Sequence, residues 1–365
     1  MSGGVDSSTS AALLVEHGYD VIGVTLKLWN QDCFSPNEDL FKCCGARAAD
    51  DVKAVCNHLG IKFQLIDAAE EFRNKVVNDF AAEYKAGRTP NPCILCNEHL
   101  KFGTLLRHAD QLGAQYVATG HYARVERSLS HRMGEGGPAT AGSGEGRYLL
   151  KRGRDPRKDQ SYFLFSLRQD QLSRALFPVG DQTTSDTRIA ARHRKLKTAE
   201  KKESMEICFV PDKDYGKFLQ QTTLVQKHRG EIVDLHGRVL GHHDGIEFYT
   251  IGQRKGLGIS SPKPLYVINL DAKNNRVVVG DDSSLDRDEF TVNRCNWIPF
   301  DDLSAPIEVT VKIRYNHPGT PATVTPSGDG NAKVKLHTAQ RAITPGQAAV
   351  FYQNDLVVGG GWIVR

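Results

Sequence analysis

The sequence lacks any run of about eighteen apolar residues, the length that a membrane-spanning helix requires. No secretory signal peptide precedes its first motif, so we expect a cytoplasmic protein without a membrane partner. A large excess of charge of one sign is also lacking, since 47 Lys and Arg against 43 Asp and Glu leave a net charge of +4. This mildly basic balance permits a nucleic-acid partner without requiring one.

Internal repeats are absent as well, and a hydrophobic fraction of 39% together with 34 glycines excludes disorder of the whole chain. At about 150 residues per domain, a chain of 365 residues corresponds to two or three domains. Helical and strand patterns alternate over residues 1–125, which predicts an α/β domain with a parallel, helix-covered sheet. Residues 128–146 are rich in Gly and Ser and predict a flexible insertion.

The second half of the chain changes character beyond about residue 230, where strand patterns replace helical ones. Ile307, Val309, Val311 and Ile313 alternate with polar residues, which predicts a C-terminal antiparallel sheet or small β-barrel. We therefore divide the chain into an N-terminal domain over residues 1–202, a small central domain over 203–280 and a β-barrel over 281–365.

Eight cysteines are present, but a second CxxC motif is lacking. Clustered cysteines in a chain without a secretion signal favour metal binding or catalysis over a disulfide framework. Cys93 and Cys96 form the single CxxC, whose spacing suits a metal half-site, a redox pair or a cluster ligand pair. A structural zinc site would need two more ligands. Five other cysteines are predicted to be bystanders: Cys33, Cys43, Cys44, Cys56 and Cys295.

A loop rich in Gly and Ser opens directly into the first helical pattern. It consists of Ser2, Gly3, Gly4, Val5, Asp6, Ser7 and Ser8. Glycines let the backbone approach a phosphate closely, and a helix N-terminus presents N–H groups to an anion. Asp6 could hold Mg²⁺ or orient the loop. The loop is not a Walker A motif, because it lacks Gly-Lys-Ser/Thr, and its plain alternative is a turn with a capping Asp.

The loop resembles the SGGxDS signature of the pyrophosphatase-loop ATPases, which adenylate a carbonyl oxygen and release pyrophosphate. Further motifs narrow the resemblance to the tRNA-specific 2-thiouridylase family, and they run in the family's order. They are TPNPCILCN at 89–97 followed by Lys101-Phe102, ATGHY at 118–122, KDQSYF at 158–163, EICFV at 206–210, GQRKGLG at 252–258 and TPGQ at 344–347. In the family a strand precedes the loop, whereas only Met1 stands before it here, so we expect a less stable first βα unit.

The resemblance implies an N-terminal nucleotide-binding domain of the adenine nucleotide α-hydrolase type, a central domain and a C-terminal antiparallel β-barrel that binds tRNA. It implies that ATP, held by residues 2–8 with Leu26 and Gly120, adenylates the C2 oxygen of the anticodon wobble uridine, with Mg²⁺ on the phosphates. Sulfur from a persulfide on Cys208 then gives 2-thiouridine, AMP and pyrophosphate. Cys96 frees that sulfur and closes a disulfide with Cys208 afterwards. A sulfur-relay protein or a cysteine desulfurase would load the persulfide.

The same resemblance implies the tRNA contacts. Asn91, Pro92 and Cys93 would lie beside the flipped uridine. Other residues would touch or flank the RNA: His121, Lys158, Asp159, Gln160, Arg314, Tyr315 and Gln347. A basic run could also grip the RNA backbone, with a solvated surface as the equal alternative: Arg192, His193, Arg194, Lys195, Lys197, Lys201 and Lys202.

Cys93 departs from the best-described family members, in which an Asp at this place is proposed as a general base. Two mechanisms stay open. In the first, Cys93 is a substitute acid/base or a spare redox thiol beside the Cys96–Cys208 persulfide route. In the second, Cys93, Cys96 and Cys208 ligate an oxygen-sensitive [4Fe–4S] cluster whose open iron binds the incoming sulfide. We favour the persulfide, because a lone CxxC is a weak cluster signal.

Two other functions also stay open. One is another enzyme of the same ATPase superfamily, such as an argininosuccinate synthetase or an amidotransferase, against which the paired cysteines and the RNA-side motifs argue. The other is a non-catalytic RNA-binding protein, against which the intact phosphate loop and both cysteines argue.

Overall fold

The computed structural model describes residues 1–29, 46–128, 146–201, 207–210, 214–221 and 228–364. Most of the predicted insertion at 128–146 lies outside these ranges, as do Cys33, Cys43, Cys44 and Lys202. Across the described ranges, no helix is both long and apolar enough to cross a bilayer.

The secondary structure divides into a mixed first half and a strand-rich second half. The strands, numbered along the chain, are β1 (Ile22–Lys27), β2 (Lys62–Asp67), β3 (Val117–Ala118), β4 (Ala123–Arg127), β5 (Tyr148–Arg152), β6 (Ala175–Leu176), β7 (Gly230–Val233), β8 (Val239–His243), β9 (Tyr266–Asp271), β10 (Arg276–Gly280), β11 (Asp286–Trp297), β12 (Ile307–Lys312), β13 (Thr320–Pro326), β14 (Ala332–Arg341), β15 (Ala348–Gln353) and β16 (Leu356–Val364). The α-helices are α1 (Val5–Glu16), α2 (Ala46–Leu59), α3 (Ala69–Phe72), α4 (Asn78–Lys85), α5 (Pro92–Leu95), α6 (Leu105–Gln111), α7 (Gln169–Leu172), α8 (Thr184–His193) and α9 (Tyr215–Gln221). Two π-helical segments cover Arg73–Val77 and Cys96–Thr104, and 3₁₀ turns cover Ser161–Leu164, Ile246–Phe248 and Asp282–Leu285.

The N-terminal domain is built on parallel strand pairs, as the alternation of helices and strands predicts. β1 pairs with β2, and β3 pairs with β6, both in parallel. Helices α1, α2 and α8 pack together through Val5, Val55 and Ala191, which are almost fully buried. Met1 lies beside β1, where its carbonyl oxygen accepts a 3.3 Å hydrogen bond from Thr25 Oγ1. The prediction of a helix-covered parallel sheet is thereby confirmed.

The helix that carries the CxxC motif is longer than its pattern indicates. The spacing predicts a helix over residues 102–112, whereas α5, the second π-helical segment and α6 form one continuous helix over residues 92–111, called the cysteine helix below. It begins after Asn91 with Pro92, whose fixed φ angle suits a first helical turn. The prediction was wrong about this start because a π-helical segment interrupts the 3.6-residue periodicity from which helices are read.

The central domain is a four-stranded sheet in the order β8-β7-β10-β9. β10 runs parallel to β7, and the other two pairings are antiparallel. Gly87 of the N-terminal domain lies directly against this sheet: a Cβ atom at Gly87 would come within 3.0 Å of the Cβ of Leu270. Its φ of +69° also favours glycine. The central domain therefore touches the chain just before the residues that lead into the cysteine helix.

The C-terminal domain is a closed antiparallel barrel, which confirms the predicted architecture. Its strands follow the order β11-β14-β13-β12-β15-β16, and β16 pairs back with β11. Val309 and Val311 point into its core, as their alternation with polar residues predicts. The hairpin β4–β5 extends this sheet, since Leu356 of β16 pairs with Lys151 of β5.

One hydrophobic core joins the barrel to the N-terminal domain. Ile94 and Phe102 of the cysteine helix share it with Tyr162, and Val350 and Tyr352 enter it from β15. All five side chains are at most 1% exposed. The barrel and the cysteine helix therefore hold each other in place, which fixes the site described next.

Candidate functional site

The Gly- and Ser-rich loop leads directly into the N-terminus of α1. Gly3 has a φ of +72°, a conformation that favours glycine, and Gly4 is the N-cap of α1. Because Gly4 has no side chain, no N-cap side chain occupies the N–H groups of the first turn, which an anion site requires. Ser7 Oγ lies 3.3 Å from Ser2 Oγ across the loop. The geometry suits a phosphate.

A second loop closes against the first turn of α1. A Cβ atom at Gly120 would lie 2.6 Å from the backbone nitrogen of Ser7, so only glycine fits there. Next to it, the hydroxyl of Tyr122 donates a 2.8 Å hydrogen bond to Asp6 Oδ1 and lies 3.0 Å from Thr187 Oγ1. This contact fixes the direction of the Asp6 carboxylate and was not predicted from the sequence.

Three side chains of the basic run at 192–202 have partners within the protein. Arg192 pairs with Glu200 at 2.7 Å, and Arg194 pairs with Glu16. Lys201 pairs with Asp51 and also donates a 2.9 Å hydrogen bond to the carbonyl oxygen of Gly3. Lys201 therefore braces the phosphate loop. Its proposed grip on RNA stays a prediction.

The cysteine helix sets Cys96 and Lys101 on one face. In a π-helix the backbone hydrogen bonds join residues five apart, so Lys101 follows Cys96 by one turn within the segment Cys96–Thr104. Lys101 Nζ lies 3.4 Å from His121 Nε2, and His121 Nδ1 lies 2.7 Å from Thr119 Oγ1. Because an ammonium can only donate, Nε2 accepts and the proton of the neutral imidazole sits on Nδ1. Burial, with the charge of Lys101 beside it, holds the pKa of His121 well below its usual range.

The two thiols of the CxxC motif are half-buried and protonated at neutral pH. Burial, together with nearby Cys208 and Cys96, raises the pKa of Cys93 to about 12. Burial also raises the pKa of Cys96 to about 11, against the lowering effect of the Lys101 charge. A thiol in this state reacts poorly as a nucleophile, so Lys101 is the group that favours the reactive thiolate.

The fold brings Cys208 to Cys96 through an aromatic anchor. Residues 207–210 form a turn, closed by a 3.0 Å hydrogen bond from Val210 N to the carbonyl oxygen of Ile207, and Cys208 is exposed at its corner. The ring of Phe209 packs 5.4 Å from the rings of Phe72, Phe80 and Phe218. Cys96 and Leu26 border the same cluster. The packing of Phe209 in this buried cluster thus holds Cys208 near Cys96, although the two cysteines are far apart in the sequence.

The three clustered thiols do not form a metal-holding group as they stand. Within the described ranges, no three His, Cys, Asp or Glu side chains are placed to hold one metal ion. The thiol arrangement of Cys93, Cys96 and Cys208 therefore does not fit a cluster, and no chemical step below passes through one.

Several residues implied to contact tRNA have internal partners. Asp159 is buried, and its carboxylate accepts hydrogen bonds of 3.1 Å from Gly153 N and 3.0 Å from Ser161 N. Gln160 Oε1 accepts a 3.1 Å hydrogen bond from Tyr122 N. Lys158 is half-buried beside them. These contacts place the segment 158–160 as a brace of the ATGHY loop.

The barrel contributes three of the residues that are implied to contact the RNA. Arg314 is exposed, and the ring of Tyr315 lies 4.5 Å from that of Phe163. Gln347 Nε2 donates a 2.9 Å hydrogen bond to the carbonyl oxygen of Thr89, just before Asn91 and Pro92. The structure therefore brings Gln347 to the residues just before the cysteine helix, and Arg314 lies on the surface.

Comparisons with known proteins cover the whole chain. The family models described as tRNA methyl transferase HUP domain, tRNA methyl transferase PRC-barrel domain and aminomethyltransferase beta-barrel domain match residues 1–212, 216–281 and 287–363, respectively. A tRNA-specific 2-thiouridylase MnmA of Clostridium acetobutylicum is 45% identical over 363 residues, which covers 100% of this chain and 98% of that protein. The chain belongs to the tRNA-specific 2-thiouridylase family. Proteins of the same name from Geotalea uraniireducens and Heliobacterium modesticaldum are 46% and 47% identical, over 100% of this chain and 93% and 91% of their own lengths.

Membership of the tRNA-specific 2-thiouridylase family confirms the resemblance drawn from the motifs. It also accounts for the phosphate loop, because the HUP domain matched at residues 1–212 is of an ATP-using type. Of the residues described above, Tyr122 and Lys101 were not singled out for a role. Both belong to the sequence motifs given above, but only the folded chain shows that Tyr122 contacts Asp6 and that Lys101 contacts His121.

Proposed function

We propose that this protein is an ATP-dependent tRNA 2-thiouridylase that acts on the wobble uridine of the anticodon. The observation that carries the proposal is the proximity of Cys208 to Cys96: Phe209, the residue after Cys208, packs in the aromatic cluster that Cys96 borders, on the domain that holds the phosphate loop. Neither another pyrophosphatase-loop ATPase nor a non-catalytic RNA-binding protein needs two such cysteines brought together by the fold.

In the first stage, ATP binds at the N-terminus of α1. The proposed contacts are Ser2, Gly3, Gly4, Val5, Asp6, Ser7, Ser8, Leu26 and Gly120. Mg²⁺ requires only one or two carboxylates besides substrate phosphates and water, and Asp6, oriented by Tyr122, fits this need. The C2 oxygen of uridine attacks the α-phosphorus, pyrophosphate leaves, and the oxygen becomes a good leaving group as part of AMP.

In the second stage, a persulfide on Cys208 supplies sulfur. Its terminal sulfur bonds to C2, and AMP departs with the oxygen. The Cys96 thiolate then attacks Cys208 Sγ and breaks the bond to the transferred sulfur, whose electron pair stays on the new 2-thiouridine. A Cys96–Cys208 disulfide remains and must be reduced by an external thiol. A sulfur-relay protein or a cysteine desulfurase reloads Cys208.

The division of labour follows the three domains, with catalysis over residues 1–202, the central domain over 203–280 and tRNA binding by the barrel over 281–365. The proposed RNA contacts are Asn91, Pro92, Cys93, His121, Lys158, Asp159, Gln160, Arg314, Tyr315 and Gln347. Since Asp159 and Gln160 have internal partners, their proposed part is to hold the RNA-facing loops in position.

The test is mass spectrometry of tRNA nucleosides after incubation of the protein with tRNA, ATP and a persulfide donor. We expect 2-thiouridine at the wobble position, formed only when ATP is present. Binding of tRNA without ATP consumption would favour the non-catalytic alternative. Pyrophosphate release without tRNA, driven by another carbonyl substrate, would favour the other superfamily enzymes.

A further inference from the structure

The motif GQRKGLG in the central domain has no part in the chemistry above. It opens the segment between the 3₁₀ turn Ile246–Phe248 and strand β9, called the central loop below (residues 250–265). Arg254, Lys255 and Lys263 of this loop are exposed. Three exposed basic side chains on one loop indicate a surface that can bind an acidic partner.

The central loop is held rigidly. Gly252 N donates a 2.8 Å hydrogen bond to the carbonyl oxygen of Val267, and Val267 N donates one of 2.9 Å to that of Gln253. The side chain of Gln253 bonds Thr250 N and the carbonyl oxygen of Lys255 at 3.1 and 3.0 Å. Arg254 and Lys255 are therefore presented from a preformed turn, which lowers the entropy lost when they bind a partner.

A shallow pocket of about 440 Å³ opens within the loop. Arg254, Ser261 and Lys263 line it together with the backbone of Gly256 and Gly258, both at positive φ. Guanidinium, ammonium, hydroxyl and glycine backbone groups are those that bind phosphate and ribose oxygens.

The loop lies on the same side of the molecule as the proposed RNA contacts of the barrel. A Cβ atom at Gly252 would come within 3.1 Å of the Cβ of Ala342. Beside Ala342, the carbonyl oxygen of Arg341 accepts a 3.4 Å hydrogen bond from Arg314 Nη1. A short stretch of chain links Ala342 to Gln347, which holds Thr89. The chain from Ala342 to Gln347 thus connects the contact at Gly252 of the central loop with Thr89, and Arg314 lies beside its first residue.

The charges of the central loop favour an acidic partner. Arg341 is balanced by Asp282 at 2.8 Å, and Lys263 lies close enough to Asp281 to contribute to the lowering of its pKa. Among the described residues, no ion pair involves Arg254 or Lys255. The loop therefore presents cationic side chains that an acidic partner would neutralise.

We propose that the central loop binds the ribose-phosphate backbone of the tRNA, beyond the nucleotides that lie at the start of the cysteine helix. The inference rests on the proposed function, since it names a further contact of the same substrate. The loop adds affinity and takes no part in adenylation or sulfur transfer.

The experiment compares Arg254→Gln/Lys255→Gln with the wild-type protein, using transcribed tRNA. Each lost phosphate contact reduces the slope of log affinity against log salt by about one, so we expect the slope to fall by about two and affinity at low salt to fall about tenfold or more. KM for tRNA should rise, while kcat at saturating tRNA stays unchanged. Lys273→Gln is the matched control, since it removes a lysine of the same domain at the far end of β9 and should change nothing.

Two results would overturn the inference. An unchanged salt slope and affinity in the double variant would exclude the RNA contact. Normal tRNA binding with slower loading of Cys208 by the sulfur donor would mean that the loop receives a protein instead. A wild-type protein that binds tRNA with the expected slope but makes no 2-thiouridine would contradict the proposed function and leave the binding result standing.

Discussion

Gln347 of the barrel donates a 2.9 Å hydrogen bond to the carbonyl oxygen of Thr89, at the entrance to the cysteine helix. Thr89 N in turn donates a 2.8 Å bond to the carbonyl oxygen of Pro345. Gly346, between Pro345 and Gln347 in the sequence, packs so closely on Thr89 that a Cβ atom at Gly346 would lie 2.9 Å from Thr89 N. The barrel thus shapes the segment from Thr89 to Asn91 that leads into the cysteine helix and Cys93, although it supplies none of the reacting sulfur atoms.

We expect Gln347→Leu to lower the rate of thiolation about threefold to tenfold, because an unpaired carbonyl costs about 1 kcal/mol and loosens the loop. ATP affinity should not change. Gln353→Leu is the matched control, since Gln353 makes the same kind of bond, 3.0 Å to the carbonyl oxygen of Glu308, away from the cysteines. Equal losses in the two variants would contradict a specific effect on the loop.

The Asp6 carboxylate should be essential for adenylation. Asp6→Asn removes the charge but keeps the shape, and we expect pyrophosphate release to fall about a hundredfold or more while tRNA affinity stays intact. Tyr122→Phe should retain most of the activity and lose about 1 kcal/mol of stability, because its hydroxyl bonds Asp6 and Thr187. Both are measured by pyrophosphate release and thermal unfolding. Normal pyrophosphate release by Asp6→Asn would exclude this role.

Features that depend on local sequence were predictable. The alternation around Val309 predicts barrel strands, and the Gly- and Ser-rich loop predicts the start of a helix, both of which the structure contains. Features that depend on tertiary contacts were not. The π-helical segment that aligns Lys101 with Cys96 breaks helical periodicity, and the burial of Asp159 follows from its partners in the folded chain.

Cys208 should be the carrier of the transferable sulfur. We expect Cys208→Ser to adenylate tRNA normally but to form no 2-thiouridine and to take up no labelled sulfur at this position. Cys295→Ser is the control, because Cys295 is a half-buried cysteine of the barrel that borders its core. Full thiolation by Cys208→Ser would place the carrier elsewhere.

Lys101 should set the reactivity of Cys96. Because burial raises the pKa of Cys96 to about 11, its alkylation rate should increase with pH throughout the range from 7 to 10. Lys101→Met removes the charge that lowers this pKa, so the profile should move to higher pH and the rate at pH 8 should fall about twofold to tenfold. Lys101→Arg should restore it. Peptide mass spectrometry at Cys96 gives the rate, and an identical profile in Lys101→Met would exclude the electrostatic effect.

Cys93 decides between the two sulfur mechanisms. Burial raises its pKa to about 12, so it is a poor proton acceptor at neutral pH and does not replace a carboxylate base. Its placement with Cys96 and Cys208 does not fit a cluster in the described part of the chain. We therefore expect iron-free protein, purified without oxygen and loaded with persulfide, to be fully active, and Cys93→Ser to retain most of the thiolation.

Absorption and Mössbauer spectra of the anaerobically purified protein distinguish the persulfide route from the cluster route. The iron content and the thiolation activity are measured on the same samples. Under the persulfide route, Cys93→Ser retains most of the thiolation activity, whereas Cys96→Ser and Cys208→Ser form no 2-thiouridine. Under the cluster route, all three variants lose iron and activity together, because each removes one ligand of the same group. A stoichiometric cluster whose removal abolishes activity, and whose reconstitution restores it, would therefore overturn the persulfide mechanism and give Cys93 the part of a third ligand.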